Sequence, residues 1–368
     1  MFGTFRLVLA MMVVFTHIGR VEIVAGVAVW GFFMLSGFLM TAVLNTKYGF
    51  NGTGIGRFAL SRATRLYPGY WLSVLLTAIV MHAFAAQVDA RLINPVLAVP
   101  QTAREIFSNV FILGHTWLGL GRIERALSPS AWAVDVEMLM YICSCLFLAR
   151  GAATARLTTF VLVAVFPVLW YLSKQLLAQG QPEYSNQVTY SFLPAALLPY
   201  AIGSSLWHAR DAFKSMHWSR RPLTGGIAVA GIVVCCFLIS CFSVTVSYLG
   251  SLVFLALLLV NLSQVKAKPA MARIDEFAGW MSYPVYLLHF MCAYIVAVAT
   301  RGASSLHFFD GQLIRFTPAG FFAVLCVTLA VSAMFAMLVE APLERWRRRS
   351  ISYGRQSRNR EDGASSVS

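Results

Sequence analysis

Charge is what this sequence has least of. Asp, Glu, Lys and Arg together make up 12% of the 368 residues, about half the roughly 25% usual in soluble domains. That scarcity excludes an ordinary soluble enzyme. The apolar runs recur from end to end without a long polar interval, so a separate soluble catalytic module has no room. A glycine-rich phosphate loop is also missing, and any phosphate site must be built from side chains. The seven cysteines lie in or beside apolar runs. Cys143 with Cys145, and Cys235 with Cys236, lack a zinc-ligand spacing, so no metal site is expected, and they read as small hydrophobes rather than a disulfide framework. No internal repeat suggests a transporter built from inverted halves.

What is present is apolar length: 58% of residues are hydrophobic. Ten stretches are candidates to span a bilayer, at about 5–20, 24–44, 69–86, 131–149, 157–177, 190–207, 223–241, 244–263, 280–300 and 318–340. Each approaches the ~20 residues that cross ~30 Å of hydrocarbon. The expected fold is therefore all-α and polytopic, with about ten transmembrane helices. An even number puts both termini on one side, and with the termini cytoplasmic 21 of the 29 Lys and Arg fall inside and 8 outside, as the positive-inside rule requires. The basic excess is thus a sign of membrane orientation, not of nucleic acid as a partner. The first stretch reads as a retained span, since no small-x-small cleavage site follows Arg6 and its apolar run. The loop at about 87–130 is expected outside, folded over the spans. Residues 1–348 read as one membrane domain and 349–368 as a disordered basic cytoplasmic tail.

Ionisable groups inside spans are costly, which makes each a functional candidate. They are His17, Asp135, Glu137, His289 and Glu340. Arg6 and His17 are eleven residues apart, about 16 Å of rise and three turns, so they share a helix face. A neutral imidazole with pKa near 6.5 takes a hydroxyl proton as a carbonyl is attacked; the bland alternative is a packing hydrogen bond. Asp135 suits a helix start, where the dipole favours an anion, whereas Glu137 is carried deeper. Arg62 and Arg65, one turn apart, are either a plain inside signal or a guanidinium fork for phosphates. Pro284 stands ready to break its helix at membrane depth, beside Tyr283, Tyr286 and His289, which read equally as polar glue between helices. No serine or cysteine has an evident adjacent base.

Taken in order, these segments resemble acyltransferase family 3, bacterial multi-spanning proteins that move acyl groups, usually acetyl, onto extracytoplasmic glycans. The marks are Arg6 and His17, Phe32-Phe33-Met34-Leu35-Ser36-Gly37-Phe38, Arg62 and Arg65 before Leu66-Tyr67-Pro68, Trp132 with Glu137 and Tyr141, Ser282-Tyr283-Pro284-Val285-Tyr286-Leu287-Leu288-His289, and Glu340-Ala341-Pro342. The resemblance runs over about 5–346. It implies Arg6 and His17 as the central catalytic pair, joined by Glu137 in an outer, acceptor-facing half. It implies Arg62 and Arg65 facing the donor, with Ser36, Trp132, Tyr141, Tyr286 and His289 as further substrate-binding positions. It also implies acetyl-CoA as donor substrate with no permanently bound cofactor, a glycan or lipid-linked sugar as acceptor, and residence in the bacterial inner membrane. The physical logic agrees: acyl-CoA is too charged to cross the bilayer, and a base held within it lets the acyl group cross without its carrier. Direct attack and transfer through an acyl-enzyme both remain open. The rival reading is a transporter or flippase of a lipid-linked glycan, its buried acids and histidines coupling protons.

Overall fold

The computed structural model describes residues 1–19, 22–237, 243–265, 268–300, 306–310 and 313–347. The expected tail at 349–368 lies outside the described residues. Helices dominate: α1 (Phe2–Gly19), α2 (Glu22–Val43), α3 (Gly52–Phe84), α4 (Ala103–Phe111), α5 (Trp132–Cys143), α6 (Ala152–Ala178), α7 (Pro182–Tyr190), α8 (Leu193–His208), α9 (Arg210–Ser215), α10 (Pro222–Phe237), α11 (Val244–Gln264), α12 (Pro269–Ala299) and α13 (Pro318–Phe335). One antiparallel hairpin, β1 (His307–Asp310) with β2 (Leu313–Phe316), joins α12 to α13. Every one of the ten apolar stretches falls on a helix. Eight helices are long and apolar enough to cross a membrane. The other two, α8 and α10, have 16 described residues each, a rise of ~24 Å.

Two helices outrun their apolar stretch. Expected from residue 69, α3 starts at Gly52, capped by the Asn51 side chain accepting from Gly54 N–H at 2.7 Å. Arg57, Arg62 and Arg65 end the hydropathic run but are good helix formers, so the helix continues through them. Similarly, α12 starts at Pro269 and passes unbroken through Pro284. The expected break is absent, the 31-residue helix being held on both sides of Pro284 by burial of Met281 to Val298 against its neighbours.

Packing centres on α1, α2 and α12, whose facing surfaces are almost wholly buried. Small residues let the helices close. A Cβ on Gly37 of α2 would collide with the Tyr200 carbonyl of α8, and one on Gly203 of α8 with the Met34 carbonyl of α2. The Thr41 hydroxyl donates to Ser204 Oγ at 2.8 Å across the same seam. At one end of the bundle, Asp275 of α12 accepts from the Thr4 amide at 2.8 Å and pairs with the N-terminal ammonium at 3.6 Å. Glu340, in the π-helical turn Ala336–Glu340 after α13, pairs with Arg65 of α3 at that same end. Both ends of the described chain therefore lie on one side, as an even number of crossings demands.

The long segment between α3 and α5 does more than cover the spans. Carbonyls at the end of α4 accept from the Trp71 indole at 2.7 Å and the Tyr67 hydroxyl at 2.6 Å. Trp71 is thirteen residues, about 20 Å, below the far end of α3. The segment is tied to α5 by Asp135, which accepts from the Thr116 amide at 3.0 Å, and is stiffened within itself by Glu105, which closes a capping box with Thr102. Burial pushes the His115 imidazole in this segment down to about 4. An unfolded His titrates near 6.5, so the unfolded form binds the extra proton as pH falls from ~6.5 to ~4. Stability is complete above the upper value and lost toward the lower, by up to about 3 kcal/mol. Thermal unfolding in detergent is expected to drop across this window in the parent, and to flatten in His115→Asn, which keeps a donor but does not titrate.

Candidate active site

The arginine end of the bundle encloses a cavity of ≈ 140 Å³ between α1, α2, α3, α5 and α12. Arg6 reaches it from the second turn of α1, and Arg62 and Arg65, one turn apart on α3, project into it together. The wall opposite carries Ser36 of α2 with Glu137 and Tyr141 of α5; Tyr283 and Tyr286 of α12 complete it. Hydropathy would forbid this density of charge in a span, and only convergence on a shared cavity accommodates it.

The three guanidiniums are not equivalent. Arg65 is neutralised by the Glu340 carboxylate and lies over the Tyr283 ring at 5.7 Å. Arg62 rests over Phe58 at 5.8 Å, with only Met40 Sδ (3.6 Å) and Ser61 Oγ (3.3 Å) as hydrogen-bond partners, and its buried Nε has none among the described residues. No carboxylate lies within ion-pair distance of Arg6 among the described residues. Three cations thus face two carboxylates, and the second, Glu137, is occupied by the Ser36 hydroxyl, which donates to it. A half-buried guanidinium with an unmet Nε donor is a ready partner for phosphate oxygens.

A second polar centre lies further along α1. The His17 and His289 rings meet with Nδ1 of the first 2.9 Å from Nε2 of the second. Their planes are inclined by 16° and their centroids are 5.1 Å apart, the spacing of two imidazoles meeting nitrogen to nitrogen. His289 is fully buried, and its Nδ1 is 2.9 Å from the Tyr286 carbonyl. That carbonyl also accepts from the Ser130 hydroxyl at 2.9 Å, while the Tyr286 hydroxyl donates to the Ser130 carbonyl at 2.7 Å. Tyr286 therefore belongs to both centres: its side chain lines the cavity and its main chain carries the imidazole pair.

The residues singled out in the sequence divide accordingly. Arg6, Ser36, Arg62, Arg65, Glu137, Tyr141 and Tyr286 share the cavity. His17 and His289 do not line it. Arg6 and His17 share a face, as their spacing demands, but three turns of helix assign them to different centres. Glu137, expected in an acceptor-facing half, lines the same cavity as the arginines, where α5 meets α2. The expectation that no serine has an adjacent base is overturned by Ser36 against Glu137, two residues 101 apart in the chain whose meeting no local pattern announces. Trp132 is off the cavity. It packs edge-on to Tyr190 at 5.6 Å and beneath Arg122 at 5.1 Å. Glu340, noted as an intramembrane acid but given no partner, proves to be the counter-ion of Arg65. Among the described residues no group of three or more His, Cys, Asp or Glu is placed to hold a metal ion.

A family model described as an acyltransferase domain, that of acyltransferase family 3, matches residues 3–337, from the first turn of α1 into the turn that carries Glu340. No curated protein and no solved structure matches the chain. The match takes in the cavity arginines and both histidines, and so the chain belongs to acyltransferase family 3 and is a multi-pass membrane acyltransferase.

Proposed function

We propose that the protein takes an acyl group, acetyl foremost, from cytoplasmic acyl-CoA and transfers it to a hydroxyl of an extracytoplasmic glycan at the bacterial inner membrane, the acceptor being O-antigen, exopolysaccharide or a lipo-oligosaccharide. The observation that carries this reading is the division of the polar interior into two centres. A guanidinium cavity lies at the end of the bundle where Arg6, Arg62 and Arg65 converge, and an imidazole pair lies about 16 Å further along the same helix. Phosphates of the donor suit Arg62 and Arg65, the first with an unmet donor and the second already gathered at the cavity wall. A thioester arm laid along α1 from there reaches toward His17.

The acceptor hydroxyl then attacks the thioester carbonyl. His17 takes the hydroxyl proton, a C–O bond forms, the C–S bond breaks, and the proton is returned to the departing thiolate. Glu137 and Ser36 form the polar wall past which the acyl group travels. Acyl-CoA is a substrate in this scheme, and no resident cofactor is needed to balance it.

Turnover of acetyl-CoA by the purified protein in nanodiscs tests the donor. The parent is expected to hydrolyse the thioester slowly without acceptor. Arg62→Ala raises KM for acetyl-CoA by about 10-fold or more, the value of one charge-assisted hydrogen bond. A folded parent that neither binds nor cleaves acetyl-CoA or other acyl-CoAs refutes the reading.

A further inference from the structure

We propose that His289 is a positioning residue that fixes the tautomer of His17 and so makes Nε2 of His17 the base; the inference rests on the reading of His17 as the group that takes the hydroxyl proton. The argument is one of donors and acceptors. A carbonyl oxygen only accepts, so the 2.9 Å contact between His289 Nδ1 and the Tyr286 carbonyl requires the proton of His289 to sit on Nδ1. With His289 neutral, its Nε2 then holds a lone pair. The 2.9 Å contact to His17 must therefore be a donation from His17 Nδ1–H. Neutral His17 consequently keeps its own lone pair on Nε2.

The order does not reverse. His289 has one nitrogen committed to a main-chain oxygen and the other to His17, and it is fully buried, so it cannot serve as the base itself. When His17 takes a proton at Nε2, the imidazolium it becomes already donates from Nδ1 to His289, with no rotation of either ring. A carboxylate fills this position beneath the histidine of many hydrolases. Here a neutral imidazole does so, which spares the membrane interior a fixed negative charge. The Tyr286 carbonyl at the base of the chain is held by the Ser130 hydroxyl, so the tautomer is set by main-chain atoms of α12 and not by a mobile group.

The test is acetyl-CoA turnover in nanodiscs for the parent, His17→Ala, His289→Phe and His289→Gln, read with nitrogen NMR of histidine-labelled protein. Phenylalanine fills the space beside Phe290 but offers no acceptor. It is expected to lower kcat about 100-fold with KM for acetyl-CoA unchanged, the lower range of what a general base contributes. Glutamine, whose amide oxygen accepts from His17 Nδ1, restores a large part of kcat; a residue needed only for packing would not be rescued this way. In the parent, the resonances lost in His17→Ala show Nδ1 protonated and Nε2 bare. A parent spectrum with the proton on Nε2 of His17 overturns the proposal even if neither His289 variant folds. An inactive His17→Ala beside a fully active His289→Phe also overturns it, and leaves the role of His17 standing. A fully active His17→Ala removes that role and this inference together.

Discussion

Arg65→Ala destabilises the folded protein by about 3–5 kcal/mol, the cost of stranding one half of a buried ion pair. The other half, Glu340, is 3% exposed, and its second oxygen has no partner among the described residues. Without Arg65 the carboxylate is left in a low-dielectric interior with nothing to neutralise it. Replacing both residues, as Arg65→Met with Glu340→Leu, removes the stranded charge along with the pair and is expected to recover most of the loss. Donor binding does not recover, because the double variant has lost a guanidinium from the cavity. Thermal unfolding in detergent and acetyl-CoA titration of the same samples separate the two effects. Equal instability of the single and double variants would show that the pair is not what holds α3 to the turn after α13.

His17→Ala lowers kcat for acyl transfer by about 10²–10⁴-fold, the usual contribution of a positioned general base. KM for the donor is expected to change little, since the arginines proposed to hold its phosphates lie about three turns away at the other end of α1. Alanine leaves a space the size of the lost ring against His289 and Phe290, whose rings otherwise pack on His17 at centroid distances of 5.1 and 4.9 Å. Added imidazole is therefore expected to restore part of the rate in His17→Ala and none in Arg62→Ala. Rescue in both would place the defect elsewhere than in proton transfer.

Much of this was legible in the chain, for identifiable reasons. A bilayer demands long apolar helices, so hydropathy found every one of the ten stretches that became a helix. It could not find where α3 and α12 begin, because hydropathy stops at charge while helical hydrogen bonding does not. The nine-residue α4 escaped notice since it is far too short to span, yet its last carbonyls reach Tyr67 and Trp71 at depth. Spacing within one helix was informative: it placed Arg62 beside Arg65, and Arg6 on the face of His17. Pairs between helices were silent. Ser36 with Glu137, Arg65 with Glu340 and His17 with His289 are separated by 101, 275 and 272 positions, and only packing brings them together. The Trp132 motif shows the converse, a pattern clear in sequence whose tryptophan packs edge-on to Tyr190 off the cavity.

The two opposed hydrogen bonds between Ser130 and Tyr286 act as a pair of pins. A single bond would let α12 and the turn that leads into α5 swivel about it, whereas two running in opposite directions, hydroxyl to carbonyl each way, resist that rotation. Ser130 lies two turns above Glu137, and Tyr286 one turn before His289. The joint thus ties the helix that carries the acid to the helix that carries the imidazole.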